Sequence, residues 1–218
     1  GCFGLKERLG ILIIGYGSIG KYYGDYLKKF LNKYTIVVVD INEELEEIAL
    51  SNNFLFFKDI NSAFSSKLKF DYAIVCNWGP DHLKTTKILI EKGINKITIE
   101  KPFCNDIEEG KLVDNLLKEK KIRCNVHYRW PYLNLKNKIE KLIKEYNLGK
   151  PLSLLIHGGS GGLSTGGVHW MDFSRRLFNK EPLSVLSKLN INYINPRSPN
   201  LIYIDGICEF SFEDDQRL

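Results

Sequence analysis

The six residues from Gly15 to Gly20 constrain the fold of this chain more than any other segment. They have the sequence GYGSIG, directly follow an apolar run at residues 10–14, and lead into a helical pattern. In that position the first glycine permits a tight turn, the second lets the backbone approach a pyrophosphate, and the third lets helix and strand pack closely. The N–H groups that open the helix, together with its dipole, favour the anion. The segment therefore predicts a dinucleotide-binding turn.

An acidic residue at the end of the second apolar run strengthens this prediction. Asp40 stands twenty positions after Gly20, where a carboxylate can accept hydrogen bonds from the ribose of an adenosine. Ile41 and Asn42 follow it, with no arginine to receive a 2′-phosphate, so the sequence favours NAD over NADP. The alternative is a purely structural turn and an unrelated surface acid, which requires strand, turn, helix and acid to coincide by chance.

From Leu9 to about Val126, short β-branched runs alternate with longer amphipathic stretches, the pattern of a parallel sheet covered by helices. The runs are apolar almost throughout because both faces of such a sheet are covered. Strands are predicted at residues 10–14, 35–39, 55–57, 72–75, 96–99 and 123–126. Helices are predicted after Asn42 as N-cap, at residues 81–92 with Gly93 beyond the end, and at residues 109–120.

A different pattern begins after Trp130-Pro131. It predicts a helix from about Leu135 to Gly149, then a strand at residues 152–157, a glycine-rich loop at 158–167, a helix at 169–178, and two or three strands between 185 and 212. We therefore expect an α/β protein of two domains. Residues 1–128 form a Rossmann domain with a doubly wound parallel sheet, and residues 129–218 form a partial α/β domain with an open mixed sheet for substrate binding and oligomerisation.

Composition excludes several classes of protein. The net charge is +5 and 44% of the residues are apolar, which excludes disordered and collagen-like chains. No apolar run approaches the roughly 20 residues that span a bilayer, so we expect a soluble cytoplasmic protein. Five cysteines without a CxxC pair predict neither a disulfide framework nor a metal site. Lysine and glutamate alternate along predicted helices, which indicates solvated faces and no nucleic-acid partner, although the charge can favour an anionic small substrate.

Two further groups of residues follow predicted strands, at the sheet edge where open α/β sheets bind ligands. Glu100-Lys101-Pro102 comes just after the fifth strand, and Lys101 could donate to a substrate oxygen. The alternative is a solvated lysine before a turn proline. His127 and Arg129 come just after the sixth strand and could bind a substrate carboxylate or phosphate. Their alternative is a solvated loop.

Taken in order along the chain, these residues resemble the Gfo/Idh/MocA family of NAD(P)-dependent sugar and inositol oxidoreductases. The resemblance rests on GYGSIG at 15–20, Asp40, CNWGP at 76–80 with His82, EKP at 100–102, the Arg129 segment, and a glycine-rich stretch that leads to His169 and Asp172. It implies a Rossmann domain followed by a domain whose open sheet covers the nicotinamide and often forms oligomers. We accordingly expect a homo-oligomer that acts on a small sugar.

The resemblance also implies roles for individual residues. Lys101 contacts both the substrate and the nicotinamide ribose, its bond to Pro102 is frequently cis, and His169 accepts a proton while hydride moves between substrate and nicotinamide. The expected cofactor contacts are Gly15, Gly17, Ser18, Ile19, Gly20, Asp40, Cys76, Asn77, Pro80, His82, Glu100 and Lys101. The expected substrate contacts are Lys101, His127, Arg129, Thr165, His169 and Asp172.

The chain departs from the family pattern in two respects. Thr165 stands where many relatives have an aspartate that helps to bind substrate and to tune the histidine, and a hydroxyl supplies no charge. The sheet of the second domain also continues well beyond residue 212 in relatives. Another chain or further residues complete that sheet, or this is a short member with an exposed edge; a start without methionine suggests an engineered or processed chain.

The function expected from these observations is hydride transfer between NAD and a sugar, inositol or nucleotide-sugar derivative, with a slight preference for an acidic sugar. Two alternatives stay open. A catalytically deficient NAD-binding sensor or scaffold would explain Thr165 and the short second domain. A lyase that oxidises its substrate transiently would retain NAD and form product without net NADH.

Overall fold

The computed structural model describes residues 8–128, 133–158, 162–192 and 203–213. The chain divides into two compact units, Gly1–His127 and Tyr128–Leu218. Within the described segments, no helix combines the length and the hydropathy that a membrane span requires.

The first unit is built on one parallel sheet, as the alternating pattern predicted. Its strands are β1 (Leu9–Ile14), β2 (Tyr34–Val39), β3 (Leu55–Phe57), β4 (Phe70–Val75), β5 (Lys96–Glu100) and β6 (Arg123–His127). They lie in the order β3-β2-β1-β4-β5-β6, and every neighbouring pair is parallel. The order reverses between β1 and β4, which places a ligand-binding crevice at the carboxyl ends of these two strands. The predicted doubly wound α/β fold is confirmed.

The helices of the first unit connect these strands. They are α1 (Ser18–Leu27), α2 (Glu46–Ser51), α3 (Ile60–Ser65), α4 (His82–Glu91) and α5 (Ile107–Glu119), with 3₁₀ turns at Lys28–Phe30, Glu43–Leu45 and Gly79–Asp81. Asn42 caps as predicted, accepting a hydrogen bond from the N–H of Glu44 at 3.1 Å. Helix α5 starts two residues before its predicted start at 109 because Asp106 accepts from the N–H of Glu109 and fixes the N-terminus there.

Both faces of the sheet are buried, which explains the unbroken apolar runs. Alternate residues of the central strands β1, β2 and β4 enter one of two core clusters. Leu12, Val37 and Val75 lie in one cluster, and Ile13, Val38 and Ile74 lie in the other. The sheet therefore holds the loops at its carboxyl edge on a rigid base, and these loops carry the candidate site residues.

The described part of the second unit contains α6 (Leu135–Glu145), a π-helical turn (Gly162–Gly167), α7 (Val168–Phe178) and two antiparallel strands, β7 (Ser184–Asn192) and β8 (Tyr203–Ser211). The predicted strand at residues 152–157 is wrong, because only Ser153 forms an isolated bridge. A strand requires a neighbour to complete its hydrogen bonds, and Leu155 is 78% exposed. Part of the predicted loop at 158–167 is the π-helical turn.

Candidate active site

The turn after β1 depends on two glycines that no other residue can replace without a clash. Gly15 has φ +89°, and a Cβ there would lie 2.5 Å from the backbone of Asn77. A Cβ on Gly20 would lie 2.0 Å from the carbonyl oxygen of Gly15. A Cβ on Gly17, by contrast, would have no atom of the described residues within 4 Å. The turn is therefore tightly packed on its protein side and open beside Gly17, as a pyrophosphate site requires.

The N-terminus of α1 suits an anion. Gly17 is its N-cap, no side chain in the described part of the chain caps its first N–H groups, and no acidic residue lies in its first turn. The helix runs for ten residues from Ser18 to Leu27. Its uncapped N–H groups and the positive end of its dipole therefore face the open side of the turn.

The Asp40 carboxylate is fixed beside this turn by two backbone hydrogen bonds. Its Oδ2 accepts from the N–H of Tyr16 at 2.6 Å, and its Oδ1 accepts from the N–H of Asn42 at 2.9 Å. Each carboxylate oxygen can accept a further bond, so these contacts orient the group and leave it able to accept ribose hydroxyls. A fixed negative charge at this position opposes a 2′-phosphate.

This arrangement predicts that NADH binds at least about tenfold more tightly than NADPH, since like charges brought together cost several kcal/mol. Asp40→Asn keeps one side-chain oxygen as acceptor but removes the charge, so we expect the preference to shrink. Titrations with NADH and with NADPH, followed by the fluorescence of the reduced nicotinamide, measure the ratio of the two affinities. Asp71→Asn is the control, because Asp71 lies at the opposite end of the sheet, near the start of β4, and pairs with Lys96 at 2.9 Å. Equal affinities for both dinucleotides in the unmodified chain would contradict this assignment.

The loop after β4 presents an unpaired acceptor. Asn77 donates from Nδ2 to Thr85 Oγ1 at 2.9 Å, while its Oδ1 is buried with no hydrogen-bond partner among the described residues. A buried polar atom of this kind costs free energy until a donor reaches it. The adjacent Cys76 thiol contacts the carbonyl of Gly15 at 3.1 Å, and burial raises the pKa of this thiol far above its usual value, so it stays protonated. The residues of this edge thus fit a dinucleotide.

A buried carboxylate joins β5, β6 and α1. Glu100 lies opposite His127 in the register of the sheet. Its Oε1 accepts from His127 Nδ1 at 2.6 Å and from the Tyr23 hydroxyl at 2.7 Å. Burial alone would raise the pKa of Glu100, but hydrogen bonds from His127 and Tyr23 outweigh burial and hold that pKa below its usual value. Glu100 is therefore an ionised acceptor, and His127 carries a hydrogen on Nδ1.

This cluster predicts an acid-sensitive contribution to stability. Because the folded pKa of Glu100 is below the unfolded value of about 4.3, its contribution is fully present above that value and is lost as the pH falls through the folded pKa. Glu100→Gln keeps an acceptor but removes the charge, which we expect to cost about 1 kcal/mol at pH 7. Denaturant unfolding at neutral and acidic pH should show that the difference in free energy of unfolding between Glu100→Gln and the unmodified chain becomes smaller in acid. Glu109→Gln, which breaks a half-exposed ion pair with Lys87, is the control; a pH-independent difference for Glu100→Gln would contradict the prediction.

Helix α4 begins at a histidine that lies behind the site loops. His82 is 2% exposed, and its ring nitrogens lie 2.8 Å from the carbonyl of Pro102 and 3.0 Å from the carbonyl of Asn77. The Lys101–Pro102 bond is cis, as the resemblance implied. Pro80 lies in the 3₁₀ turn that precedes α4.

The second unit carries the remaining candidates. Thr165 lies in the π-helical turn, and His169 lies in the first turn of α7 with its ring 6.0 Å from that of Tyr128. Asp172 is 9% exposed and accepts from the guanidinium groups of two residues of the same helix, Arg176 at 2.7 Å and Arg175 at 3.4 Å. These bonds engage its charge within the helix. Arg129 lies outside the described residues.

Tyr23 belongs to the Glu100 cluster, although no motif in the sequence indicates it. The available signal was its position three residues after Gly20, which places both residues on the same face of α1, toward the sheet. His127 was found, but as a substrate contact and without its partner Glu100.

Residues 9–128 match the Gfo/Idh/MocA family, described as an oxidoreductase family with an NAD-binding Rossmann fold. The chain belongs to this family. The match covers more than half of the 218 residues and spans the whole glycine turn, Asp40 and the EKP segment. It confirms the resemblance seen in the sequence and the expectation that NAD is the cofactor.

Individual members of this Gfo/Idh/MocA family are distant in sequence. Glucose-6-phosphate 3-dehydrogenase of Bacillus subtilis is 22% identical over 222 residues, and the match covers 90% of this chain and 62% of that protein. Myo-inositol 2-dehydrogenase of Lactobacillus plantarum superposes with a TM-score of 0.77 at 15% identity, covering 96% of this chain and 68% of that one. UDP-N-acetylglucosamine 3-dehydrogenase of Acidithiobacillus ferrooxidans superposes with a TM-score of 0.70 at 15% identity, covering 96% of this chain and 65% of that one. At these identities the superpositions show a shared fold.

Proposed function

We propose that this Gfo/Idh/MocA protein is an NAD-dependent oxidoreductase that transfers hydride between nicotinamide and a hydroxyl-bearing carbon of a sugar, inositol or nucleotide-sugar derivative. The named relatives act on a sugar phosphate, an inositol and a sugar nucleotide. Bound NAD supplies the hydride acceptor. The chain's own residues hold the dinucleotide, place the substrate oxygen and take its proton.

One observation carries the proposal. The open space beside Gly17, the charged group of Asp40 and the unpaired Oδ1 of Asn77 follow three adjacent strands, β1, β2 and β4. They lie at the edge where the strand order reverses, and they supply a cradle for phosphate, an acceptor for ribose and an acceptor for a further ligand donor. A purely structural turn would explain the close packing of Gly15 and Gly20 but not the buried unpaired oxygen.

Two residues carry the proposed chemistry. Oxidation of an alcohol requires a group to accept the hydroxyl proton as hydride leaves, and imidazole titrates close to neutral pH. His169 is that acceptor. Lys101 donates to the substrate oxygen, which positions it and stabilises the negative charge that develops on it.

The remaining polar residues set substrate preference in this proposal. His127, with its Nδ1 hydrogen committed to Glu100, and Arg129 contact an anionic group of the substrate. Thr165 contributes a hydroxyl in place of a carboxylate, so it does not repel such a group. Together with the net charge of +5, these features favour an acidic sugar.

A substrate panel tests the function directly. The full chain is incubated with NAD and with uronic acids, inositols, sugar phosphates or UDP-sugars, and the absorbance of NADH is followed. We expect NADH to form with at least one acidic or nucleotide-linked sugar. NADH binding without turnover on any member would support the sensor or scaffold alternative instead. Product formed without net NADH, with NAD retained through purification, would support the lyase.

A further inference from the structure

A single buried side chain connects two of the loops that carry site residues. His82 opens α4, and its ring contacts main-chain carbonyl groups on both sides, Pro102 through Nδ1 and Asn77 through Nε2. Pro102 belongs to the loop after β5 and Asn77 to the loop after β4. The two loops also approach each other at Gly79, where an added Cβ would lie 3.7 Å from Cδ of Pro102.

Lys101 lies between two such connections. The residue before it, Glu100, is bonded to His127 and Tyr23. The residue after it, Pro102, is bonded to His82. The backbone of Lys101 is therefore held on both sides by side chains of other elements, and the position of its ammonium group depends on both contacts.

We propose that His82 is a positioning residue for Lys101, which acts by donating a hydrogen bond from Nδ1 to the carbonyl of Pro102. The inference rests on the proposed function of Lys101. Both ring nitrogens lie against backbone carbonyls and the ring is almost fully buried, so His82 acts on the site through the loop. The shorter of its two contacts, 2.8 Å against 3.0 Å, is the one to Pro102.

Two conservative variants separate the two contacts of His82. The side-chain nitrogen of asparagine lies close to the position of Nδ1, and that of glutamine lies close to the position of Nε2. His82→Asn therefore keeps the bond to Pro102 and loses the contact with Asn77, whereas His82→Gln does the reverse. Each variant loses one contact, so a purely structural role predicts the same effect for both.

The measurements use the full chain and need no substrate. Hydrogen exchange of the backbone at residues 101–106 reports on the loop, and trace acetylation followed by mass spectrometry reports on the reactivity of Lys101, each with and without NADH. We expect His82→Gln to change the exchange rate of the loop and the acetylation rate of Lys101 by roughly fivefold each, the equivalent of one hydrogen bond. His82→Asn should stay within about twofold of the unmodified chain. Exchange at residues 10–20 is the internal control and should not change.

Equal effects of the two variants on the loop and on Lys101, or no effect of either, would overturn the proposal. If a variant fails to fold, the proposal is tested on the unmodified chain, by finding which nitrogen of the His82 ring carries the hydrogen. A long-range ¹H–¹⁵N spectrum should show a hydrogen on Nδ1 of His82, and a ring with its hydrogen on Nε2 alone would also overturn the proposal. Absence of turnover on the substrate panel, with the two variants still different, would refute the proposed function and leave the positioning role intact.

Discussion

Lys101→Met is expected to lower kcat/KM by roughly 10²- to 10³-fold, the effect of removing one donor to a developing oxyanion. Methionine has a similar length and shape but carries no charge and no donor, so the loss isolates the ammonium group. The glycine turn and Asp40 remain, so affinity for NADH should fall far less than activity. Steady-state rates with the best substrate of the panel and a fluorescence titration of NADH measure the two effects separately.

Two controls make the Lys101 result specific. Lys101→Arg keeps the charge with a different donor geometry and should retain part of the activity. Lys96→Met removes a lysine at the opposite end of the same strand, where Lys96 pairs with Asp71 at 2.9 Å, and should leave kcat/KM unchanged. Activity of Lys101→Met equal to that of Lys96→Met would refute the proposed role of Lys101.

Gly20→Ala is expected to destabilise the first unit by about 3 kcal/mol or more, at the upper end of the cost of overpacking. The added Cβ would lie 2.0 Å from the Gly15 carbonyl oxygen and 2.9 Å from its carbonyl carbon. Both are backbone atoms of a turn already fixed against Asn77, so neither can move away cheaply. Denaturant unfolding followed by circular dichroism measures the loss.

Gly93→Ala is the matched control, because it measures the backbone cost of replacing a glycine without a packing clash. Gly93 has φ +86°, so alanine there is strained, but its Cβ would have no neighbour within 4 Å among the residues that the structure describes. We expect a cost of about 1 kcal/mol from the backbone conformation. If Gly20→Ala lowered the free energy of unfolding no more than Gly93→Ala does, this would contradict the close packing of helix α1 against the turn.

The first unit could be predicted closely because its sheet is buried on both sides. Each strand then appears as a continuous apolar run, and the turn glycines and Asp40 have fixed places relative to these runs. The pairing of Glu100 with His127 could not be predicted in the same way. It depends on β5 and β6 being neighbours in register, whereas the sequence gives only the approximate end of each strand.

The second unit shows the limit of local patterns. Residues 152–157 have the composition of a strand, yet a strand forms only where a neighbouring strand completes its hydrogen bonds. The resemblance to the family implies that Asp172 contacts the substrate. The sequence did not indicate that its carboxylate also accepts hydrogen bonds from Arg175 and Arg176, through spacings of three and four residues that the helix itself dictates.

Every proposed role requires that a dinucleotide lies over the open side of the glycine turn, and Gly17→Ala tests this directly. Gly17 has φ −70°, so alanine is tolerated, and its methyl group would enter the empty space where the pyrophosphate is expected. A clash of about 1–3 kcal/mol weakens binding by roughly 5- to 150-fold. Calorimetric titration of the full chain with NADH should show binding to the unmodified protein and this loss in the variant, with folding retained. No binding to the unmodified protein, or equal binding to both, would contradict the account.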